Sequence, residues 1–366
     1  MENYLSYNKR ALNFFRRNKG IATGLISLIV LLIFAVSPYL ADHVYRNFIF
    51  QGFRIVWDYT IGLLPFPVLY LELIIIPFAL YFYCKRFARK WISLLLVPLN
   101  LFGWIATFFL WMWGYNYCSS PVVKFDESRE MTEEQLYEFG VEIAGSFSQP
   151  GDLQLGMDTL PDDGYFNMIE TAVHETIKSH GICTLGDPDC CDIAASGTMR
   201  RFGVAGIYLP FCGQPYCDDS YLFKTKAFIH AHELAHAYGV TSEGEADFIA
   251  YTALNNILPA SGSFYDDEAF RRGYTLSYAA RLELLRTIRY QLYISNDLLK
   301  VKLDSLLPAE VQRDIKQIKN NALLYPEFFP GMQEAMNDRY LKAMGIEDGV
   351  KNYDRFVELV WQSRKQ

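Results

Sequence analysis

Five residues carry the clearest chemistry in this chain: His232, Glu233, Leu234, Ala235 and His236. On a helix, residues four apart share a face, so His232 and His236 can offer two imidazoles to one metal ion. Glu233 lies beside them. This is the pattern of a zinc hydrolase, in which the protein supplies three ligands to Zn2+ and leaves one position open. In that pattern Glu233 is the catalytic base, taking a proton from a water that the ion has acidified to a pKa of about 7. The third ligand must follow closely, and Glu243 and Glu245 are both within reach. Glu243 is preferred, because Asp247 lies four residues later on the same face. The Asp247 carboxylate can then accept a hydrogen bond from the far nitrogen of a ligand histidine and fix its tautomer. Glu245 is the alternative ligand, or else the acid of a capping box. His230 is two residues from His232, a rotation of about 200°, and is expected to face away.

The elements that must position these groups follow from spacing. Ala227, Phe228, Ile229 and Ala231 precede the motif without a charge, as a buried helix requires. That helix begins near Lys224, and Gly239 supplies the left-handed residue that commonly ends one. Ser242, with Glu245 three residues on, opens a second helix over 243–256. The best strand is 202–209, ended by Pro210; it serves either as a substrate-binding edge or as an internal strand. Thr132 with Gln135 reads as a capping box for a helix ending near Ser146. Phe166, Ile169, Val173 and Ile177 mark another helix, stopped by Gly181. Residues 181–196 read as a loop. Apolar spacing near 3.6 predicts helices over 276–292, 296–307, 308–323, 332–344 and 352–361. Tyr251, Tyr274, Tyr278 and Arg281 are all candidates for an oxyanion donor, a role the sequence leaves open.

The first third is different in kind. The chain has 366 residues, 51% hydrophobic, and its apolar residues crowd toward the N-terminus. Spans are expected at about 21–40, 63–83 and 91–113, each near the ~20 residues a helix needs to cross a bilayer. Residues 1–20 carry five cations, and 85–90 carry four. The positive-inside rule puts both in the cytoplasm, which leaves 114–366 on the outer, periplasmic side of the inner membrane. Trp111, Trp113, Tyr115 and Tyr117 make an aromatic belt at the exit. Residues 41–60 read as an amphipathic segment lying on the outer membrane surface. Glu72, inside the second span, is a functional-site candidate by position, but reads better as a protonated group facing neighbouring helices or one placed near the interface. The net charge of -7 and the lack of a basic, aromatic-laced patch exclude nucleic acid as a partner.

Cysteine placement agrees with that topology. Cys84 lies at the cytoplasmic end of the second span. Cys118, Cys183, Cys190, Cys191, Cys212 and Cys217 all lie on the expected outer side. An even number of thiols in an oxidising compartment predicts disulfides, and six allow 15 pairings. A cysteine zinc site ranks lower, for want of a Cys-x-x-Cys pair.

Residues 232–251 (HELAHAYGVTSEGEADFIAY) resemble the signature of a family of bacterial membrane proteins called domain of unknown function 3810. LLPFPVLYLELI at 63–74, WMWGYNY at 111–117, GVAGIYLPF at 203–211 and NDRYLKAMGIEDGV at 337–350 are similar too. The resemblance implies a zincin-like peptidase domain tethered by N-terminal spans, with His232, Glu233 and His236 as its motif and Glu243 and Glu245 as its paired acids. The Glu-x-x-x-Asp block from Glu243 to Asp247 is also similar to that of gluzincin peptidases, whose first acid is the ligand. The chain departs from the family pattern in its extra cysteines and in residues 213–220, which leaves the role of that stretch open. The expected fold is mainly α: three transmembrane helices, then an α+β zincin-like domain with a small sheet and a helical C-terminal half. The expected function is a membrane-anchored zinc metallopeptidase acting on polypeptide in the cell envelope. Rival expectations are a zinc hydrolase of a non-protein envelope amide and a non-catalytic zinc-binding membrane protein. Glu233 argues against the last, since a structural site needs no adjacent base.

Overall fold

Three helices in this computed structural model are long and apolar enough to cross a membrane. The structure describes residues 13–87, 93–124, 126, 130–148, 163–257, 268–346 and 355–364. The cations at 9, 10, 89 and 90, and the start of the helix expected from Asn352, lie outside the described residues. In chain order the longer α-helices of the first third are α1 (Lys19–Val36), α2 (Phe50–Asp58), α3 (Val68–Phe87) and α4 (Ser93–Met112). The first stops four residues short of the expected Leu40, because Pro38 drives Ser37 out of the helical region. The second starts five residues late, because Pro65 and Pro67 keep Leu64 to Pro67 out of it.

The chain divides into two compact units. One comprises Met1–Ser120 with the short segments Leu185–Asp187 and Leu209–Gln214. Inside it α1 packs on α4 through glycines. A Cβ on Gly24 would sit 2.9 Å from Gly103 Cα, and a Cβ on Gly20 or Gly103 would collide with the backbone of the opposite helix. Small residues let apolar helices approach where no hydrophobic force drives them together. Polar links complete the contact: Trp111 Nε1 donates to Ser27 Oγ (3.1 Å) and Ile21 N to Asn100 Oδ1 (3.0 Å).

Residues 41–58 are helical throughout, with a wide π-helical turn at Ala41–Ile49 running into α2. This segment is amphipathic, with its polar face turned into the protein. Arg46, Gln51, Arg54 and Asp58 are buried, while Phe48 (75% exposed) and Val56 (62%) point outward. Every buried charge here is paired, as burial demands. Arg46 meets Asp42 at 2.8 Å and Ser120 O at 2.9 Å. Arg54 bonds Asp58 and the Gly213 carbonyl, and Asp58 Oδ2 accepts from Asp187 N at 2.9 Å. Glu72 also has a partner in this unit: its Oε2 accepts from the Cys212 thiol at 3.0 Å.

The other unit holds the remaining elements: α5 (Glu133–Gly145), α6 (Asp163–Ser179), β1 (Cys191–Ile193), α7 (Thr198–Arg201), β2 (Gly206–Leu209), β3 (Gln214–Asp218), α8 (Phe223–Ala237), α9 (Glu243–Asn255), α10 (Glu268–Ser295), α11 (Asp297–Leu306), α12 (Ala309–Leu323), α13 (Met332–Ala343) and α14 (Arg355–Ser363). It is mainly helical with one three-stranded sheet. The capping box at Thr132 and Gln135 is present in both directions.

α9 is the centre of this unit. After its first turn, Ala246, Ile249, Ala250, Ala253 and Leu254 are all buried, so it has no solvent stripe. A helix apolar all round must be enclosed, and α6, α8, α10 and α14 pack against it. α8 is buried along nearly its whole length. Its two lysines survive burial by pairing: Lys224 with Asp314 (2.5 Å), Lys226 with Asp192 (2.6 Å) and Asp219 (2.8 Å).

The sheet order is β1-β3-β2, with β1 parallel to β3 in the register Cys191↔Tyr216, Asp192↔Cys217 and Ile193↔Asp218. Three differences from the sequence reading stand out. The strand expected from 202 starts at Gly206, because Thr198–Arg201 form a helical turn and Gly203 (φ 76°) reverses the chain. β1 falls inside the stretch read as a loop. β3, Gln-Pro-Tyr-Cys-Asp, has no apolar alternation, because all five of its residues are buried.

Candidate metal centre

The site is made where α8 and α9 meet, and the turn between them is built for it. Gly239 takes φ 97°, a conformation costly for any residue with a Cβ. Its amide and that of Val240 bond back to His236 O and Ala235 O. This closes α8 and brings the Val240 carbonyl over the last turn. Ser242 Oγ then accepts from Glu245 N at 3.3 Å and opens α9, with Glu243 as its first residue.

Three side-chain atoms converge. His232 Nε2 and His236 Nε2 are 3.0 Å apart, and Glu243 Oε2 lies 3.2 Å from each. Three ligand atoms ~2.1 Å from one tetrahedral ion stand about 3.4 Å apart, so the triangle is the right size for a metal. The hydrogen bonds behind it have the right sense. His236 Nδ1 faces the Val240 carbonyl at 2.7 Å, and a carbonyl only accepts, so Nδ1 carries the proton. His232 Nδ1 lies 2.7 Å from Asp247 Oδ1 and donates to it. In the neutral rings both Nε2 atoms then present lone pairs to a carboxylate, an arrangement that calls for a cation. His232, His236 and Glu243 thus form a group that could hold a metal ion.

Electrostatics around the triangle follow from burial and pairing. Burial opposes a charge on His232, but Asp247 and Glu243 outweigh it and hold its proton well above the ordinary range. His236 is raised in the same way by Glu243. Burial would raise Glu243, yet the two imidazoles hold it well below the usual carboxylate range.

Glu233 stands apart from the triangle. Burial pushes its carboxyl up to about 7 against the pull of both imidazoles. It accepts a hydrogen bond from the Tyr208 backbone N–H, while its Oε2 is buried and has no hydrogen-bond partner among the described residues. β2 makes room for it: a Cβ on Gly206 would lie 2.6 Å from Glu233 Oε1 and 2.8 Å from Ile229 Cγ2. Gly206 and the Tyr208 amide were missed in the sequence as functional groups. The Val-Ala-Gly-Ile-Tyr run gave the strand, but nothing in it gave the partner.

Glu245, the alternative ligand, is directed elsewhere: its Oε1 accepts from Val123 N at 2.9 Å. His230 is buried against Phe166, with ring centroids 4.9 Å apart and stacked. The four oxyanion candidates have these contacts. Tyr278 donates to Asp314 (2.7 Å), Arg281 to Ser146 O (2.6 Å), Tyr251 accepts from Arg364 (3.4 Å), and the Tyr274 ring lies under the Arg281 guanidinium.

Asp247 gives a direct prediction. Asp247→Asn keeps the shape but removes the charge behind His232. Metal affinity is expected to fall ~10–100-fold, the usual cost of an outer partner, measured by chelator competition. Unchanged affinity would mean that His232 does not act as a ligand through Nε2.

No curated protein and no solved structure matches this chain. The family model described as "Protein of unknown function (DUF3810)" matches residues 45–361, which take in α3, α4 and the whole candidate metal centre. The chain belongs to that family.

Proposed function

We propose that this chain is a membrane-anchored, zinc-dependent peptidase whose helical unit has a zincin-like fold. The observation that carries the reading is the convergence of His232, His236 and Glu243 beside a buried Glu233 oxygen that has no hydrogen-bond partner among the described residues. Two imidazoles and one carboxylate are the ligand set of a catalytic rather than a structural zinc site. They would hold the ion and leave a position open. The ion, when bound, would supply Lewis acidity toward a carbonyl and toward water.

The protein's own groups do the rest. Glu233 would take a proton from the attacking water at its buried Oε2 and deliver it to the leaving amine. Its position is set by the Tyr208 amide and by the missing side chain at Gly206. Among the described residues β2 pairs with β3 alone. An extended peptide added as a strand beside β2 would suit a polypeptide substrate better than a sugar or lipid.

The three apolar helices, with the cation-rich segments at 1–20 and 85–90, support an orientation with the helical unit on the outer side of the inner membrane. Substrates would then be envelope polypeptides near the bilayer. The test is metal removal. Full-length protein in detergent is expected to cleave a quenched-fluorescent peptide library, to lose that activity on chelation, and to regain it with Zn2+. Activity that survives removal of all metal would sink the proposal.

A further inference from the structure

On the far side of α8 from the metal centre lies a second group of soft donors. Cys190 precedes β1, Cys217 sits in the central strand β3, and His230 projects from α8. Their ligand atoms all lie within 4.8 Å of one another. Cys190 and Cys217 are 7% and 1% exposed, and their Sγ atoms are 2.9 Å apart. No bond joins them in the structure.

Two chemistries could use this group: a shared metal or a bond between the sulfurs. Distance separates them. Two thiolates on one tetrahedral zinc stand about 3.8 Å apart, given Zn–S of ~2.3 Å. The observed 2.9 Å is well inside that, and closer than unbonded sulfurs rest. A metal would have to push the pair apart, whereas a disulfide draws it together by less than an ångström. His230 Nε2 is buried and makes no hydrogen bond among the described residues, so the sulfur spacing rather than the histidine decides between the two. Its ring stacks on Phe166, and its Nε2 lies 3.9 Å from Glu170 Oε1.

We propose that Cys190 and Cys217 are joined by a disulfide in the mature protein, and that this bond fixes the sheet that positions Glu233. The proposal rests on the reading that the helical unit faces an oxidising compartment. Both sulfurs are enclosed in the folded unit, so the bond must form while the chain folds. The thiolate of one cysteine attacks the disulfide of an oxidised dithiol oxidoreductase, giving a mixed disulfide and freeing one partner thiolate. The second cysteine, deprotonated in turn, attacks the mixed disulfide at the first cysteine's sulfur. The partner leaves as a dithiol, carrying the two electrons, and the pair has lost two protons.

The consequence runs through the sheet. The bond ties the start of β1 to β3, residues 27 apart in the chain. β3 is the neighbour of β2, whose Tyr208 amide holds Glu233. Reduction is therefore expected to loosen the strand behind the catalytic base as well as the fold.

The test uses full-length protein from membranes denatured in excess maleimide, which traps every free thiol, followed by digestion without reductant. Wild type is expected to yield a peptide linking Cys190 to Cys217. That link should persist in Cys191→Ser, which rules out its neighbour, and in His230→Gln. It should vanish in Cys190→Ser and Cys217→Ser. Dithiothreitol should lower the thermal midpoint of wild type by on the order of 10 °C, and shift that of the double serine variant by clearly less. Maleimide on both cysteines of wild type overturns the proposal, as does a link that follows Cys191. So does a second metal equivalent that disappears in His230→Gln. A phosphatase fused after Tyr117 tells the two failures apart. If it is active, labelled thiols refute the pairing itself; if it is inactive, the compartment reading falls, and the proposal with it.

Discussion

Full-length protein carrying His236→Ala or Glu243→Ala is expected to purify without its metal, whereas Glu245→Ala keeps a full equivalent. The difference follows from where each carboxylate is held. Glu243 Oε2 is 3.2 Å from both Nε2 atoms, while Glu245 Oε1 is occupied by the Val123 amide. Losing a direct ligand should reduce affinity by more than about 100-fold, beyond the ~10–100-fold attached to an outer carboxylate. Glu245→Ala should instead cost stability, since it strips a partner from a backbone amide, an effect of ~1–3 kcal/mol. Metal content by mass spectrometry and a thermal melt on the same samples separate the two roles. Metal loss in Glu245→Ala alone would reverse the assignment.

Glu233→Gln is expected to do the opposite: keep the metal and lose hydrolysis. Gln has the same shape and can still accept from the Tyr208 amide, but it has no basic oxygen at Oε2. A general base of this kind contributes ~10²–10⁴ in rate, or about 3–5 kcal/mol of barrier. Bound metal should be unchanged, because Glu233 makes no part of the triangle of Nε2, Nε2 and Oε2. A variant that loses both metal and activity would show Glu233 to be structural.

Much of this was legible in the chain. The spacing of His232 and His236, the acid at Glu243 and the second acid at Asp247 are helical arithmetic, and helices are local. The closing turn was legible for the same reason, with Gly239 and Ser242 in their expected places. The three apolar helices were visible by length and composition; Pro38, Pro65 and Pro67 shifted two of their ends, and the second helix runs on to Phe87, past the expected 83. The sheet was not. β1 is only three residues long and β3 is buried at all five positions, so neither offers a run of alternation long enough to read, and their pairing spans more than twenty residues. The inward-facing charges of Arg46, Arg54 and Asp58 were equally hidden, since the backbone groups they bond at Ser120, Gly213 and Asp187 are distant in sequence. The approach of Cys190 to Cys217 also depends on the β1–β3 pairing. Sequence offered fifteen ways to pair six thiols.

One comparison bears most directly on the peptidase reading. Membranes from cells expressing wild-type protein and Glu233→Gln at equal levels are labelled at free amines, and the new N-termini are identified by mass spectrometry. A peptidase should leave a set of envelope-protein termini that appears with wild type and is absent with Glu233→Gln. Identical sets of termini in the two samples would contradict proteolysis as the function of this site.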